Sequence, residues 1–345
     1  MKSFKQYFNE SNEAGKGAFK RHPIDQQPAR IPIELYDQIK NNIENKVQHL
    51  GDIFIPSIKK ITHKDTTGDM DVIIHPNNRA VWREDILKIF GKDVVAKVNN
   101  GPQMMLVVKN LLNNGEQYMV DFILAQEGSF EYRKQYSKFG TIIPAVVGSF
   151  ARSLRYKFEQ NEFDLRLKDK RGNYHNIRLT NNFDDVLKIL MLDPTPVKND
   201  DLYTPQKVAK WITDSPRFDS NVWAKPPSVD GQTIITKNVK SHRTAKAKDN
   251  VKETYALIDN TKKKATWDNT NYKIERMVLG NEFVDSVINK ANSYIKKSEN
   301  AISGNEIMDI LNIKAGPEIG KIMAYIKNNK LDRNSALSYV KSLSI

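Results

Sequence analysis

Near residue 70 the chain reads Thr66-Thr67-Gly68-Asp69-Met70-Asp71-Val72-Ile73-Ile74, with two acids one residue apart at the head of an apolar, β-branched run. The run predicts a buried strand over Asp69 to His75. Residues i and i+2 of a strand share a face, so the two carboxylates project together. They repel each other, and hard cations such as Mg2+ held between them remove the repulsion. A third acid, Asp121, stands inside a second apolar run, Tyr118-Met119-Val120-Asp121-Phe122-Ile123-Leu124. Three carboxylates on adjacent strands can hold two metal ions spaced for in-line attack on a phosphorus atom. The chemistry suggested is phosphoryl or nucleotidyl transfer.

The elements around these runs predict an α+β fold built on a small mixed sheet. Apolar residues at helical spacing (Ile33, Leu35, Ile39, Ile43, Val47) predict a helix over 31–50. A short strand over 52–61 and a turn up to Gly68 lead into the acidic strand. A helix over Trp82 to Phe90 stops at Gly91. Strands over Met104–Lys109 and Gln117–Leu124 are joined through Asn113-Asn114-Gly115, a hairpin signal because these residues tolerate positive φ. Further on, Phe150 to Phe158 reads as a basic helix with Arg152 and Arg155 one turn apart. Phe163–Leu167 and His175–Leu179 flank a turn at Arg171-Gly172, and Phe183–Leu192 is a short helix stopped by Pro194 and Pro196. Helices are also expected over 202–212, 276–297, 303–311, 321–327 and 334–343, with a tight hairpin at 315–320. His63 and His75 flank the acids and are read as non-ligands, because Mg2+ prefers oxygen.

The residues around Gly68-Asp69-Met70-Asp71-Val72 resemble the DNA polymerase beta superfamily of nucleotidyltransferases. In that family a Gly-Ser followed by basic residues holds the triphosphate. The matching segment here is Pro56-Ser57-Ile58-Lys59-Lys60, with Pro56 in place of the glycine. Asp121 in Val120-Asp121-Phe122 stands where the family has its third acid. Val147-Gly148-Ser149-Phe150-Ala151-Arg152-Ser153-Leu154-Arg155 resembles the segment that links palm to thumb in X-family polymerases. Gly172 and Phe183-Asp184-Asp185-Val186-Leu187 resemble the rest of that thumb. Val146 and Val147 replace the family's frequent aromatic wall against the sugar, which leaves ribose and deoxyribose both open. The resemblance covers about residues 52 to 198. It implies catalytic and metal-binding roles for Asp69, Asp71 and Asp121 with a pair of Mg2+ ions, Mn2+ being an alternative. It also implies nucleotide binding by Ser57, Lys59, Lys60, Gly68, Gly148, Arg152 and Arg155.

Near the C-terminus, Ile302-Ser303-Gly304-Asn305-Glu306-Ile307-Met308 and Ile313-Lys314-Ala315-Gly316-Pro317-Glu318-Ile319-Gly320-Lys321 resemble a helical segment of bacterial tRNA nucleotidyltransferases and poly(A) polymerases. That places Pro317 at a first helical position, with free N–H groups able to meet a phosphate. Gly316, Gly320 and Lys321 are the candidate contacts there. A net charge of +13 fits a polyanionic partner. The lysine-rich stretch with Lys240, Arg243 and Lys246 is either a nucleic-acid-tracking segment or a solvated linker.

The expected partners are therefore an NTP or dNTP and a nucleic-acid 3′ end, either a DNA primer–template or an RNA such as tRNA. DNA repair and tRNA processing both remain open, as does transfer to a protein or small molecule. No cysteine is present, which excludes disulfides and thiol nucleophiles. No apolar run reaches the roughly 18 residues of a membrane span, and the first residues lack a signal-peptide core, so a cytoplasmic protein without a membrane partner is expected. Phe4-Lys5-Gln6-Tyr7 resembles the start of proteins from large tailed bacteriophages, which would make that cytoplasm the host's. The expected organisation is an arm over 1–30, a nucleotidyltransferase palm over 31–145 and a thumb-like subdomain over 146–200. A basic loop-rich connector follows over 201–270, then a helical C-terminal domain over 271–345.

Overall fold

The computed structural model describes residues 28–57, 65–140, 142–169, 174–223, 249–267, 270–299, 302–329 and 331–343. The N-terminal arm up to residue 27, Lys59, Lys60, His63, the Arg171-Gly172 turn, Lys240, Arg243 and Lys246 lie outside the described residues.

The fold is α+β. A short strand β1 (Ile31–Pro32) leads into helix α1 (Ile33–Val47), which buries Tyr36, Ile39, Ile43 and Val47 along one stripe. A 3-10 turn then delivers β2 (Gly51–Phe54). Gly51 has φ of 147°, and a Cβ there would meet the His75 carbonyl oxygen at 2.3 Å, so only glycine lets β2 lie this close to its neighbour. After β3 (Thr66–Thr67) come β4 (Met70–Pro76), α2 (Trp82–Phe90), β5 (Val94–Asn100), β6 (Gln103–Lys109) and β7 (Gln117–Leu124). α2 and the 113–115 hairpin lie where the sequence places them. β5 is an addition: its polar Lys97, Asn99 and Asn100 suit an exposed edge and hide the strand pattern.

The main sheet has the order β2-β4-β7-β6-β5. Only β4 and β7 run parallel, because α2 and the β5–β6 pair intervene between them. Met70, Val72 and Ile74 point to one face, where α1 and α2 cover them with Leu106, Val108, Val120 and Phe122. Each such side chain stabilises the fold by about 1.5–3 kcal/mol. The odd-numbered residues of β4, Asp71, Ile73 and His75, point to the other face.

Beyond the sheet, α3 (Phe130–Ser137) and α4 (Ile142–Ser153) precede a second, three-stranded sheet of β8 (Tyr156–Phe158), β9 (Phe163–Lys168) and β10 (Tyr174–Thr180). The basic helix expected over Phe150–Phe158 is corrected here. The helix ends at Ser153, Arg155 takes a left-handed φ of 67°, and residues 156–158 pair with β9. A tight backbone reversal held by the Arg166 N–H to Arg155 carbonyl bond outcompetes helix propensity at this point.

α5 (Phe183–Ile189), α6 (Thr195–Lys198), α7 (Pro205–Asp214), α8 (Ser220–Trp223), α9 (Asp249–Asp259), α10 (Lys273–Leu279) and α11 (Asn281–Glu299) follow. The single helix expected over 276–297 is two, broken at Gly280 with φ of 87°. Where described, the stretch expected to be a loop-rich connector is largely helical. Val208, Trp211, Ile212, Val251 and Ile258 join Val146, Phe150 and Phe163 in one core reaching Ala291. The last helices, α12 (Gly304–Leu311), α13 (Pro317–Asn328) and α14 (Arg333–Ser342), enclose a small core of their own around Ile307, Ile322 and Val340. Ser303 and Glu306 form a capping box on α12. Among the described residues no helix is long and apolar enough to cross a membrane.

A buried ion pair fastens the second core. Arg217, between α7 and α8, lies 3.2 Å from Glu275 of α10 and donates to the Tyr156 hydroxyl of β8 at 3.2 Å. The Tyr156 hydroxyl also donates to Glu275, and the Ile189 carbonyl accepts from Arg217. Burial pushes Arg217 down to about 10 and Glu275 up. Arg217→Ala leaves Glu275 uncompensated, and urea unfolding is expected to show a loss of about 3–5 kcal/mol. Replacing both residues together, Arg217→Met with Glu275→Leu, recovers most of it; a single-variant loss within the about 1 kcal/mol of a surface pair overturns this account.

Candidate active site

The register of the parallel pair decides the geometry. Met70 lies opposite Val120 and Asp71 opposite Asp121, so the second and third acids stand side by side on one sheet face. Asp69 immediately precedes β4. Its approach is held by β1, which pairs with β3 (Ile31 opposite Thr67), and by Arg30, whose Nε donates to Thr66 Oγ1 at 2.9 Å.

The acids occupy different environments. Asp71 is exposed and Asp69 half-buried, whereas Asp121 is only 6% exposed. Burial, then the charges of Asp71 and Asp69, push the Asp121 carboxyl up to about 8. One contact works the other way: Gln103 Nε2, on β6, donates to Asp121 Oδ2 at 2.8 Å. Asp121 Oδ1 is buried and has no hydrogen-bond partner among the described residues. A buried carboxylate oxygen without a donor, beside two further carboxylates, is a donor set suited to a hard divalent cation. Among the described residues no three acidic or histidine groups close around a common point as a preformed cage.

Tyr36 links the Pro56-Ser57 segment to α1. Its buried ring lies in the fields of Asp71 and Asp69, which, after burial, raise its pKa further, and its hydroxyl donates to the Pro56 carbonyl at 3.1 Å. Ser57, next to this Pro56 carbonyl, and Gly68, directly before Asp69, are both half-buried. The other expected nucleotide contacts that are described lie in and just beyond α4. Gly148 lies inside α4, where its neighbours Val146 and Val147 are fully buried in the second core and form no wall toward a sugar. Ser149 Oγ bonds the Tyr255 hydroxyl at 2.7 Å, fastening α4 to α9. Arg152 is in the last turn of α4, and Arg155, beyond the helix end, does not share its face.

At the C-terminal hairpin, Pro317 does take a first helical position after the N-cap Gly316. Gly320, expected in the turn, is inside α13, and Lys321 pairs with Glu318 at 2.9 Å on the surface.

Three residues near the acids carried no motif signal. Tyr36 sits at core spacing on α1. Gln103 is a lone polar residue at the start of β6. Arg133, in α3, is only 4% exposed and lies in the field of Asp71. A polar residue following Gly101-Pro102 at the entry to an apolar strand was the one cue available, and it belonged to Gln103. No protein-family model matches the chain, and no curated protein matches it.

Because the folded carboxyl of Asp121 titrates near 8 and an unfolded aspartate near about 4, folding takes up a proton across that window. Without metal, this group lowers stability as pH rises, by about 1.4 kcal/mol per unit. Asp121→Asn is expected to melt at a higher temperature than the parent protein in EDTA at neutral pH, with a flatter pH dependence. An identical pH dependence in the two proteins shows that this carboxylate is not desolvated.

Proposed function

We propose that the chain is a metal-dependent nucleotidyltransferase. In this reading it transfers a nucleoside monophosphate from an NTP or dNTP to a nucleic-acid 3′-hydroxyl and releases pyrophosphate. The observation that carries the reading is the parallel β4–β7 register, which sets Asp71 beside a desolvated Asp121 with Asp69 immediately before the strand. The resemblance of these motifs to the DNA polymerase beta superfamily points the same way, as does the +13 charge.

In the reaction, the 3′-oxygen forms a bond to the α-phosphorus and the bond to the β-phosphate bridging oxygen breaks. The pyrophosphate carries away that electron pair. Asp69, Asp71 and Asp121 would hold Mg2+, which neutralises charge developing on the phosphates. Asp121 accepts the proton of the attacking hydroxyl. Gln103 keeps Asp121 oriented by occupying Oδ2, which leaves Oδ1 without a protein donor among the described residues. Ser57, next to the Pro56 carbonyl that Tyr36 holds, grips the leaving phosphates together with Lys59 and Lys60. Catalysis of this type is chiefly positioning and charge stabilisation.

The test offers labelled NTPs and dNTPs with a primed DNA, a single strand and a tRNA lacking its tail. Transfer to at least one acceptor is expected. Asp71→Asn should lower the rate by at least about a thousandfold, comparable to losing a main electrostatic stabiliser, while the melting profile stays cooperative. Unchanged transfer by that variant, or no transfer to any nucleic acid, refutes the reading.

A further inference from the structure

The odd-numbered face of β4 is roofed by α3. The Phe130 ring lies 6.1 Å from His75, and Lys134 Nζ stands 6.0 Å from the Phe54 ring on β2. Ile73, between His75 and Asp71 on that face, is fully buried. Arg133, one helical turn beyond Phe130, reaches the field of Asp71. Its guanidinium is 5.8 Å from the Tyr136 ring, and Nη1 donates to Gln160 in the β8–β9 turn.

One feature sets this arginine apart from Arg217, the other deeply buried arginine. Arg217 has Glu275 as a countercharge, whereas no carboxylate lies within ion-pair distance of Arg133 among the described residues. Its Nε, like that of Arg217, is buried and lacks a hydrogen-bond partner among the described residues. An uncompensated buried charge and an unmet donor each cost folding free energy. A guanidinium presents its donors as a planar fork that matches phosphate oxygens.

We propose that Arg133 is a buried phosphate fork at the rim of the acidic site, an inference that rests on the nucleotidyl-transfer reading. The fork binds phosphate oxygens held against the acids, and these come either from the nucleotide's triphosphate or from the backbone of the acceptor strand. Gln160 steadies Nη1 from the neighbouring hairpin, which leaves for the anion Nη2 and, once docking displaces what covers it, Nε.

The experiment measures equilibrium binding by the full-length protein in Mg2+ at fixed salt. One probe is a fluorescent non-hydrolysable nucleoside triphosphate, and the other is a short labelled single strand ending in a 3′-deoxy nucleotide. Arg133→Met keeps most of the side-chain volume and removes the fork. Gln160→Glu leaves Arg133 in place but supplies a carboxylate that competes with the anion, at an exposed position where the fold tolerates the change. Both variants are expected to weaken one probe by about tenfold, the scale of a charge-assisted hydrogen bond. Weakening of the triphosphate alone assigns the fork to the nucleotide, and weakening of the strand alone assigns it to the acceptor. If Arg133→Met fails to melt cooperatively, Gln160→Glu decides. Wild-type affinity for both probes in the folded variants overturns the phosphate fork and leaves the nucleotidyl-transfer reading standing. A wild-type protein that binds neither probe removes both.

Discussion

The parallel pairing of β4 with β7 is the constraint on which the rest of the structure depends. It sets Asp71 beside Asp121 at one register position, and a shift of a single residue would turn one of them into the core. The register is held from the opposite face. There Met70, Val72 and Ile74 interlock with Val120 and Phe122 beneath α1 and α2, so apolar packing on one side sustains electrostatic repulsion on the other. Hydrophobic burial of this extent outweighs the few kcal/mol of like-charge strain that the acidic face introduces.

Around that pair, groups distant in sequence offset the stored repulsion. Gln103 donates from β6, Tyr36 carries the Pro56-Ser57 segment in from α1, and α3 brings a guanidinium over the top of β4. Each comes from an element whose position is set by apolar packing elsewhere. The second core plays a different part. By burying Val146, Val147 and Phe150 and locking Tyr156 to Arg217 and Glu275, it holds the β8–β9 turn and Gln160 against α3. Val146 and Val147, which precede Gly148, serve as packing in that core.

The legible parts of the fold share a physical cause. The Trp82–Phe90 helix, the Asn-Gly hairpin and the acidic strand are specified by local periodicity and turn chemistry, which the chain carries within windows of ten residues or fewer. The failures share one too. β5 is polar because it is an edge, the chain turns into β8 at Arg155 because pairing with β9 competes there with helix propensity, and the helix near residue 280 breaks where a glycine takes a positive φ. In each case a long-range contact or a single backbone angle outweighed the local pattern.

The same division applies to the site. By itself the sequence determined which chemistry is available: two acids at an i, i+2 spacing, a third in a separate apolar run, and no thiol. Those follow from residue type and strand periodicity alone. Only the tertiary structure decided that Asp71 and Asp121 become register partners, that Asp121 is the desolvated acid, and that Gln103, Tyr36 and Arg133 surround them. Desolvation and charge coupling depend on distances between segments tens of residues apart, and the folded core sets those distances.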